Sequence, residues 1–297
     1  MLDSDEHYDA YVVFDADNIA HPDYIKNMNK AYGQGHRIAQ GFRDSKNPVD
    51  SVDAGASAIF FWFNSRFCYL SRSHLRLSAF INGTGFMVAD SVLRDANWRT
   101  GCITEDIEFT SQCLSNGQKI GFAADAIVYD EQPIDFATSW RQRRRWSIGM
   151  MNCWLTYSGR LLKRAFTKRD IASFDFWLYI SAPVIQILMV VYMALVLASW
   201  FVQLAGGTIG WGRLAVYFVV SLLAWLLSPL AIGLLTVVRN RKKLTRMWRA
   251  VVYFPVFFVT ASILNIMAVF TTQGAWRQIE HVRPMSFADI CLAGVDR

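Results

Sequence analysis

Acidic and basic side chains are missing altogether from three long stretches of this 297-residue sequence, Phe176 to Gln203, Leu214 to Val238 and Ala250 to Thr272. Each is long enough to cross a bilayer as a helix, and buried helices of soluble cores rarely run so far without a charge. An ordinary soluble chain is thereby excluded, in keeping with only 18% charged residues against 53% hydrophobic ones. The five cysteines, Cys68, Cys102, Cys113, Cys153 and Cys291, form no CxxC pair and no metal-ligand spacing with histidine. That excludes a disulfide framework and a zinc module, leaving reduced thiols in a cytoplasmic compartment. Met1 to Asp9 is acidic and polar and does not read as a cleavable signal peptide.

Acids are also absent from Arg239 to Arg249, RNRKKLTRMWR. Short basic loops beside membrane helices stay in the cytoplasm, so this loop marks the inner face, and the Gly-rich connection Leu204 to Arg213 suits the outer one. Counting back one helix places the first half of the chain in the cytoplasm, at the cell membrane. The net charge of +6 sits largely beside the apolar windows, which favours anionic lipid headgroups and a nucleotide diphosphate as partners and argues against nucleic acid. Three crossings would put the C-terminus outside. Yet Trp276, Arg277, His281 and Arg283 have a cytoplasmic juxtamembrane character, so one window, the one containing Pro255, is expected not to cross fully.

The half before residue 173 alternates short apolar runs with longer mixed segments. Asp9 to Phe14 reads as a buried strand ending in the polar cluster Asp15 to Asn18. Arg37 to Gly41, Ile81 to Ala89 (broken by Gly83 and Gly85), Lys119 to Phe122 and Ala126 to Tyr129 read as further strands. Helices are expected over Ser51 to Leu70, over Glu105 to Asn116 with a stop at Gly117, and from an N-cap at Asp135 to Tyr157. Such alternation predicts an α/β domain. Beyond it, Arg160, Lys163, Arg164, Lys168 and Arg169 interleave with Leu161, Leu162, Ala165 and Phe166, a pattern suited to a helix lying in the headgroup plane.

Three groups of residues carry chemistry. Asp15 and Asp17, one residue apart at a strand end, can both reach a divalent cation that clamps a diphosphate, though strand termination alone would also explain them. Glu105 and Asp106 follow Thr104 at a helix start, where the dipole favours carboxylates, and a carboxylate so placed can take a proton from a hydroxyl. Gln142, Arg145 and Trp146 share one helical face, offering an amide, a guanidinium for a departing diphosphate and an indole to stack on a sugar ring. A basic helix with an interfacial Trp is the plainer alternative.

The order of these groups carries more than any one of them. NGTGFMV at Asn82 to Val88, TEDIEF at Thr104 to Phe109, DEQP at Asp130 to Pro133 and RQRRRWSIG at Arg141 to Gly149 follow the DxD strand and precede the apolar windows. This arrangement resembles the processive family 2 glycosyltransferases, the cellulose, chitin and hyaluronan synthases, and most closely bacterial synthases of N-acetylglucosamine-type polymers. The resemblance implies the C-terminal part of an N-terminally truncated α/β GT-A catalytic domain over residues 1–146, an amphipathic interfacial segment over 147–173, membrane helices over 174–273 and a juxtamembrane tail over 274–297. It implies Mg²⁺ or Mn²⁺ at Asp15 and Asp17 and Asp106 as catalytic base. Substrate would be held by Glu105, by Gln142, Arg145 and Trp146, and by Gly83, Thr84 and Gly85. The implied reaction is inverting transfer from a UDP-sugar to a growing β-linked polysaccharide. Phe258 to Thr260, FVT, is similar to a gating motif of cellulose synthases but lies within an apolar window.

The sequence departs from the family in one respect. Members carry membrane helices and the first nucleotide-binding strands ahead of the DxD, which here begins at residue 15. A parallel sheet without those strands is expected to expose an edge, with the remainder supplied by an upstream segment or another subunit. A catalytically silent membrane subunit descended from such a synthase is the other reading open at this point.

Overall fold

The computed structural model describes residues 8–96, 100–271 and 286–292. In chain order they form β1 (Ala10–Val13), β2 (Ile19–Ala20), α1 (Tyr24–Gly33), β3 (Ile38–Ser45) and α2 (Val52–Phe63), which runs on through a π-helical segment, Asn64–Tyr69, into α3 (Leu70–His74). There follow β4 (Phe86–Ala89), α4 (Asp90–Ala96), α5 (Glu105–Asn116), β5 (Gly121–Asp130), α6 (Phe136–Thr167) and α7 (Ile171–Ile180). The remainder is helical: α8 (Ala182–Ala205), α9 (Trp211–Arg239), α10 (Leu244–Val269) and α11 (Phe287–Leu292).

The five strands make one sheet in the order β1-β4-β3-β5-β2. It is mixed, not parallel as expected: β3 and β5 are the one pair of neighbours in parallel register, while β4 is antiparallel to both β1 and β3 and β2 is antiparallel to β5. β1 lies at the sheet edge, and its outer side pairs with no strand among the described residues. All eight residues of β3 are buried, because helices cover both faces. Tyr24, Met28 and Ala31 of α1 pack on Ala39, Ala123 and Val128 on one face. On the other, Phe42 meets Ile59 and Trp62 of α2 and Phe109 of α5. Burial on both faces removes the polar/apolar alternation of a half-exposed strand, and β3 runs on to Ser45, past the expected end at Gly41, because Arg43 and Asp44 are buried with partners.

Several elements differ from their expected extents. Ile81 to Ala89 is a strand only from Phe86, because Gly83 (φ 90°) and Gly85 (φ 63°) take left-handed conformations that end the ladder. The two runs after Lys119 fuse into β5, with a register shift opposite Gly41 and Phe42. The Asp135 side chain caps α6 by accepting from the Thr138 amide at 2.9 Å, as anticipated, but the helix continues unbroken for 32 residues. The boundary at residue 146/147 therefore falls inside one helix. The first apolar window is cut at Ser181, where Pro183 opens α8, and its front portion is α7, packed on α5 and α6.

Three helices, α8, α9 and α10, are long and apolar enough to cross a membrane. They are not equivalent. α8 leaves the body after Val184, which packs on Ile148 and Met151 of α6, and α9 returns to it at Gly233, Thr236 and Val237. α10 stays on the body at both ends. Met247, Ala250 and Phe254 join the core, Phe257 and Thr260 accept hydrogen bonds from Arg143, and Ala268 packs on Ile148 and Met151 beside the start of α8. Asn265 and Ser262 of α10 also bond Gln186, one turn into α8. Thr260 of the FVT stretch thus lies in the α6–α10 contact. Trp276, Arg277, His281 and Arg283 lie outside the described residues, but α11 beyond them is docked on the sheet domain: Ile290 is fully buried, and Phe287 packs against His21 and Tyr129.

Candidate active site

The turn after β1 is held by its neighbours. The Asp15 amide donates to the Thr84 hydroxyl at 3.0 Å, and Thr84 in turn donates to the Asn18 side-chain oxygen. The Asn18 amide donates to Asp130 at 2.9 Å, and Asp130 is paired with the Arg43 guanidinium. Arg43 also donates to the Asn82 carbonyl at 2.7 Å, which closes a ring of contacts joining the DxD turn, the NGTG turn and the DEQP segment. Lys46, buried beside Glu131 at 3.3 Å, donates to the Asp17 carbonyl at 2.8 Å. Gln40 on β3 clasps the NGTG turn, donating to the Thr84 and Gly85 carbonyls and accepting from the Asn82 amide. Sequence reasoning assigned no role to Gln40, Arg43, Lys46, Asn18 or Asp130. DEQP was noted as a motif, but the partners of its first residue are distant in sequence and carried no local signal.

Asp15 is exposed, yet its carboxyl pKa is raised, first by partial desolvation and then by the nearby Asp130, Asp17 and Glu105, with Arg43 opposing. Carboxylates that repel one another at a strand end suit a divalent cation, and Mg²⁺ commonly takes one or two carboxylates together with phosphate oxygens. No three His, Cys, Asp or Glu side chains among the described residues already form a metal cage. The residues present therefore fit a cation held partly by its diphosphate, with Asp15 and Asp17 as the protein ligands.

Asp106 lies one residue into α5, in the lining of a cavity of about 90 Å³ shared with Arg43, Asn82, Tyr69, Trp146 and Tyr179. Its carboxylate faces Gly83, where a Cβ would come within 3.7 Å of Oδ2. Burial pushes its pKa up to about 6, helped by the Glu105 charge and opposed by the Ile107 amide and by Arg43. Glu105 itself is exposed and lies close enough to raise both Asp15 and Asp106, between the two candidate centres. Trp146 closes the cavity from α6, its indole stacked 6.2 Å from Phe60 and edge-on to Phe61 at 5.7 Å. Gln142, one turn before Trp146, and Arg145, next to it, are part-exposed on the same helix and make no hydrogen bond among the described residues. Arg143 between them is buried and spent on α10. The structure thus brings Asp106 and Trp146 to one cavity, with Gly83 facing the Asp106 carboxylate and Thr84 bonded to the turn that carries Asp15 and Asp17.

The family model for "Glycosyl transferase family group 2" matches residues 11–271. The chain belongs to glycosyl transferase family group 2. Among curated relatives, "Probable glycosyltransferase YdaM" of Bacillus subtilis (strain 168) is 29% identical over 102 residues, 34% of this chain. That match spans about a quarter, 24%, of the relative's length. The family 2 assignment accounts for a mixed sheet with a GT-A-type site followed by long apolar helices.

Proposed function

We propose that this family 2 chain is the acceptor-side catalytic half of a membrane-bound, inverting glycosyltransferase that adds sugar from a UDP-sugar to a growing β-linked polysaccharide. The observation that carries this reading is Asp106: a carboxylate with pKa near neutrality, facing the NGTG turn and sharing a cavity with an indole wall. A hydroxyl of the terminal acceptor sugar, its ring resting on Trp146, donates its proton to Asp106 as its oxygen attacks the anomeric carbon. The bond to UDP breaks on the opposite face, so an α-linked donor gives a β-linkage. Gln142 and Arg145, with capacity to spare, take the departing diphosphate. A bound Mg²⁺ or Mn²⁺ at Asp15 and Asp17 would neutralise charge on that diphosphate. The β1 edge receives the strands that grip the nucleotide base, from outside these residues or from another subunit.

In the membrane, α8 and α9 cross while α10 lies along the inner face, which returns the tail to the cytoplasmic catalytic side. This is supported by the attachment of both ends of α10 to the body and by α11 on the sheet. It also accords with the expectation that the window containing Pro255 does not cross fully.

The reading is tested with membranes carrying the chain together with its nucleotide-binding strands, given a panel of UDP-sugars and assayed by mass spectrometry of the products. Polymer is expected with Mg²⁺ or Mn²⁺ and not with EDTA, and Asp15→Ala or Asp17→Ala should weaken metal-dependent UDP binding. Unchanged UDP binding in both variants would reject the metal assignment, and absence of any transfer would favour the silent-subunit alternative.

A further inference from the structure

Away from the reacting centre, the last turn of α5 and the second half of α6 enclose an open cleft of about 310 Å³. Its walls present Arg160, Lys163, Arg164 and Lys168 with Ser115 and Asn116. One of these cations is committed: Arg164 binds Asp170 at 2.8 Å and lies over Gly117, where a Cβ would meet its guanidinium at 1.9 Å. It thereby offsets the negative carbonyl end of α5. Arg160, Lys163 and Lys168 are exposed and have no ion-pair partner among the described residues. The Ser115 hydroxyl is shielded from solvent and has no hydrogen-bond partner. The cleft therefore presents three cations without an ion-pair partner, one of them, Arg160, lying 5.7 Å over the Tyr157 ring, and a hydroxyl without a hydrogen-bond partner among the described residues, the complement of a phosphate group.

On the same stretch of chain, outside the cleft lining, two apolar side chains form an exposed shelf. Phe166, three residues after Lys163, is 73% exposed, and Ile171 is 68% exposed. The Phe166 ring lies 6.4 Å from Phe174 on α7, whose end leads directly into α8. Cations flanked by exposed apolar side chains next to a membrane helix match a lipid, with a charged head and apolar tails, rather than a soluble anion.

We propose that this cleft holds the phosphate-bearing headgroup of an anionic glycerophospholipid, with its acyl chains over Phe166 and Ile171. Free phosphate or a nucleotide would use the same cations but leave that shelf in water. The bound lipid also steadies α5, because Tyr157 in the cleft donates to Glu108 at 2.9 Å, and Glu108 holds the Gly101 and Cys102 amides just ahead of the helix that carries Asp106.

Native mass spectrometry of the full chain in detergent, mixed with phosphatidylglycerol or phosphatidylcholine, tests this without reference to glycosyl transfer. One phosphatidylglycerol should be retained roughly tenfold better than phosphatidylcholine, and the preference should vanish in Arg160→Gln/Lys163→Gln/Lys168→Gln and fall in Phe166→Ser/Ile171→Ser. A control losing the same charge elsewhere, Lys26→Gln/Lys30→Gln/Lys243→Gln, should keep it. If the triple variant fails to fold, Lys163→Gln alone is read in the same assay and should still weaken retention. Equal retention of both lipids, or loss of preference in the control, overturns the proposal. So does millimolar inorganic phosphate displacing the lipid while Phe166→Ser/Ile171→Ser has no effect, which would make the cleft a soluble-phosphate site.

Discussion

Thr104 fills the space above Gly149: a Cβ on that glycine would lie 2.2 Å from the Thr104 hydroxyl and 2.4 Å from its methyl. The contact seats the first turn of α5, with Asp106, against α6 one turn beyond Trp146, and so fixes the distance between the Asp106 carboxylate and the Trp146 indole. Gly149→Ala should drive the two helices apart and cost transfer roughly tenfold or more, since small displacements of catalytic groups are expensive. Circular dichroism should show the helices intact. Full activity of Gly149→Ala would mean that this seat does not set the site.

Asp106 gives a pH signature of defined sign. As a base it must be ionised, so transfer should rise with pH through an apparent pKa of about 6 and level above it. Asp106→Asn should lower the rate roughly 10²-fold or more with UDP binding retained. Should Asp106→Asn keep most of its rate while Glu105→Gln abolishes it, the base is Glu105.

The same carboxyl affects stability. Its folded pKa lies above the unfolded one, so the benefit of its neutral form is complete below the unfolded value and is lost as pH rises through about 6. Asp106→Asn should therefore melt higher than the parent at pH 8, by at most about 3 kcal/mol, and nearly equal to it at pH 4. A lower melting temperature at pH 8 would show that the carboxylate is stabilised in the fold.

Asp44 is buried in β3, where it accepts from the Trp62 indole at 2.6 Å and pairs with Lys242 at 3.0 Å, tying the α9–α10 loop to the sheet. Lys242→Met would strand a buried carboxylate, at a cost of roughly 3–5 kcal/mol, and adding Asp44→Asn should recover much of it. Thermal unfolding in detergent measures both; strictly additive losses would argue against the pairing.

Cys291 reports the membrane path. It is exposed on α11, so in a variant with the other four cysteines changed to serine it should react with an impermeant maleimide only from the side bearing the catalytic domain. Labelling from the opposite side would mean that α10 crosses.

The motif positions were legible because each depends on local signals: an apolar run ending in acids at Asp15, a helix start at Glu105, helical spacing from Gln142 to Trp146. What joins them was not. Gln40 clasps a turn more than forty residues away, and Arg43 reads as an unremarkable cation until the fold sets it against Asp130 and Asn82. Hydropathy likewise marked all three long apolar helices, and the composition of the tail singled out the window with Pro255; what the sequence could not show is the packing of α10, whose apolar face meets protein at Phe254 and Phe257.

Because α6 runs without a break from the indole of Trp146 past Lys163, the helix acts as a ruler between the Asp106 cavity and the basic cleft. At about 1.5 Å per residue, the seventeen steps between them set a separation of roughly 25 Å. One inserted residue would lengthen that ruler by little but turn its cleft end by about 100° against the cavity. The sequence of this helix is thus constrained in phase as well as in composition, and whole-turn insertions should be tolerated better than single ones.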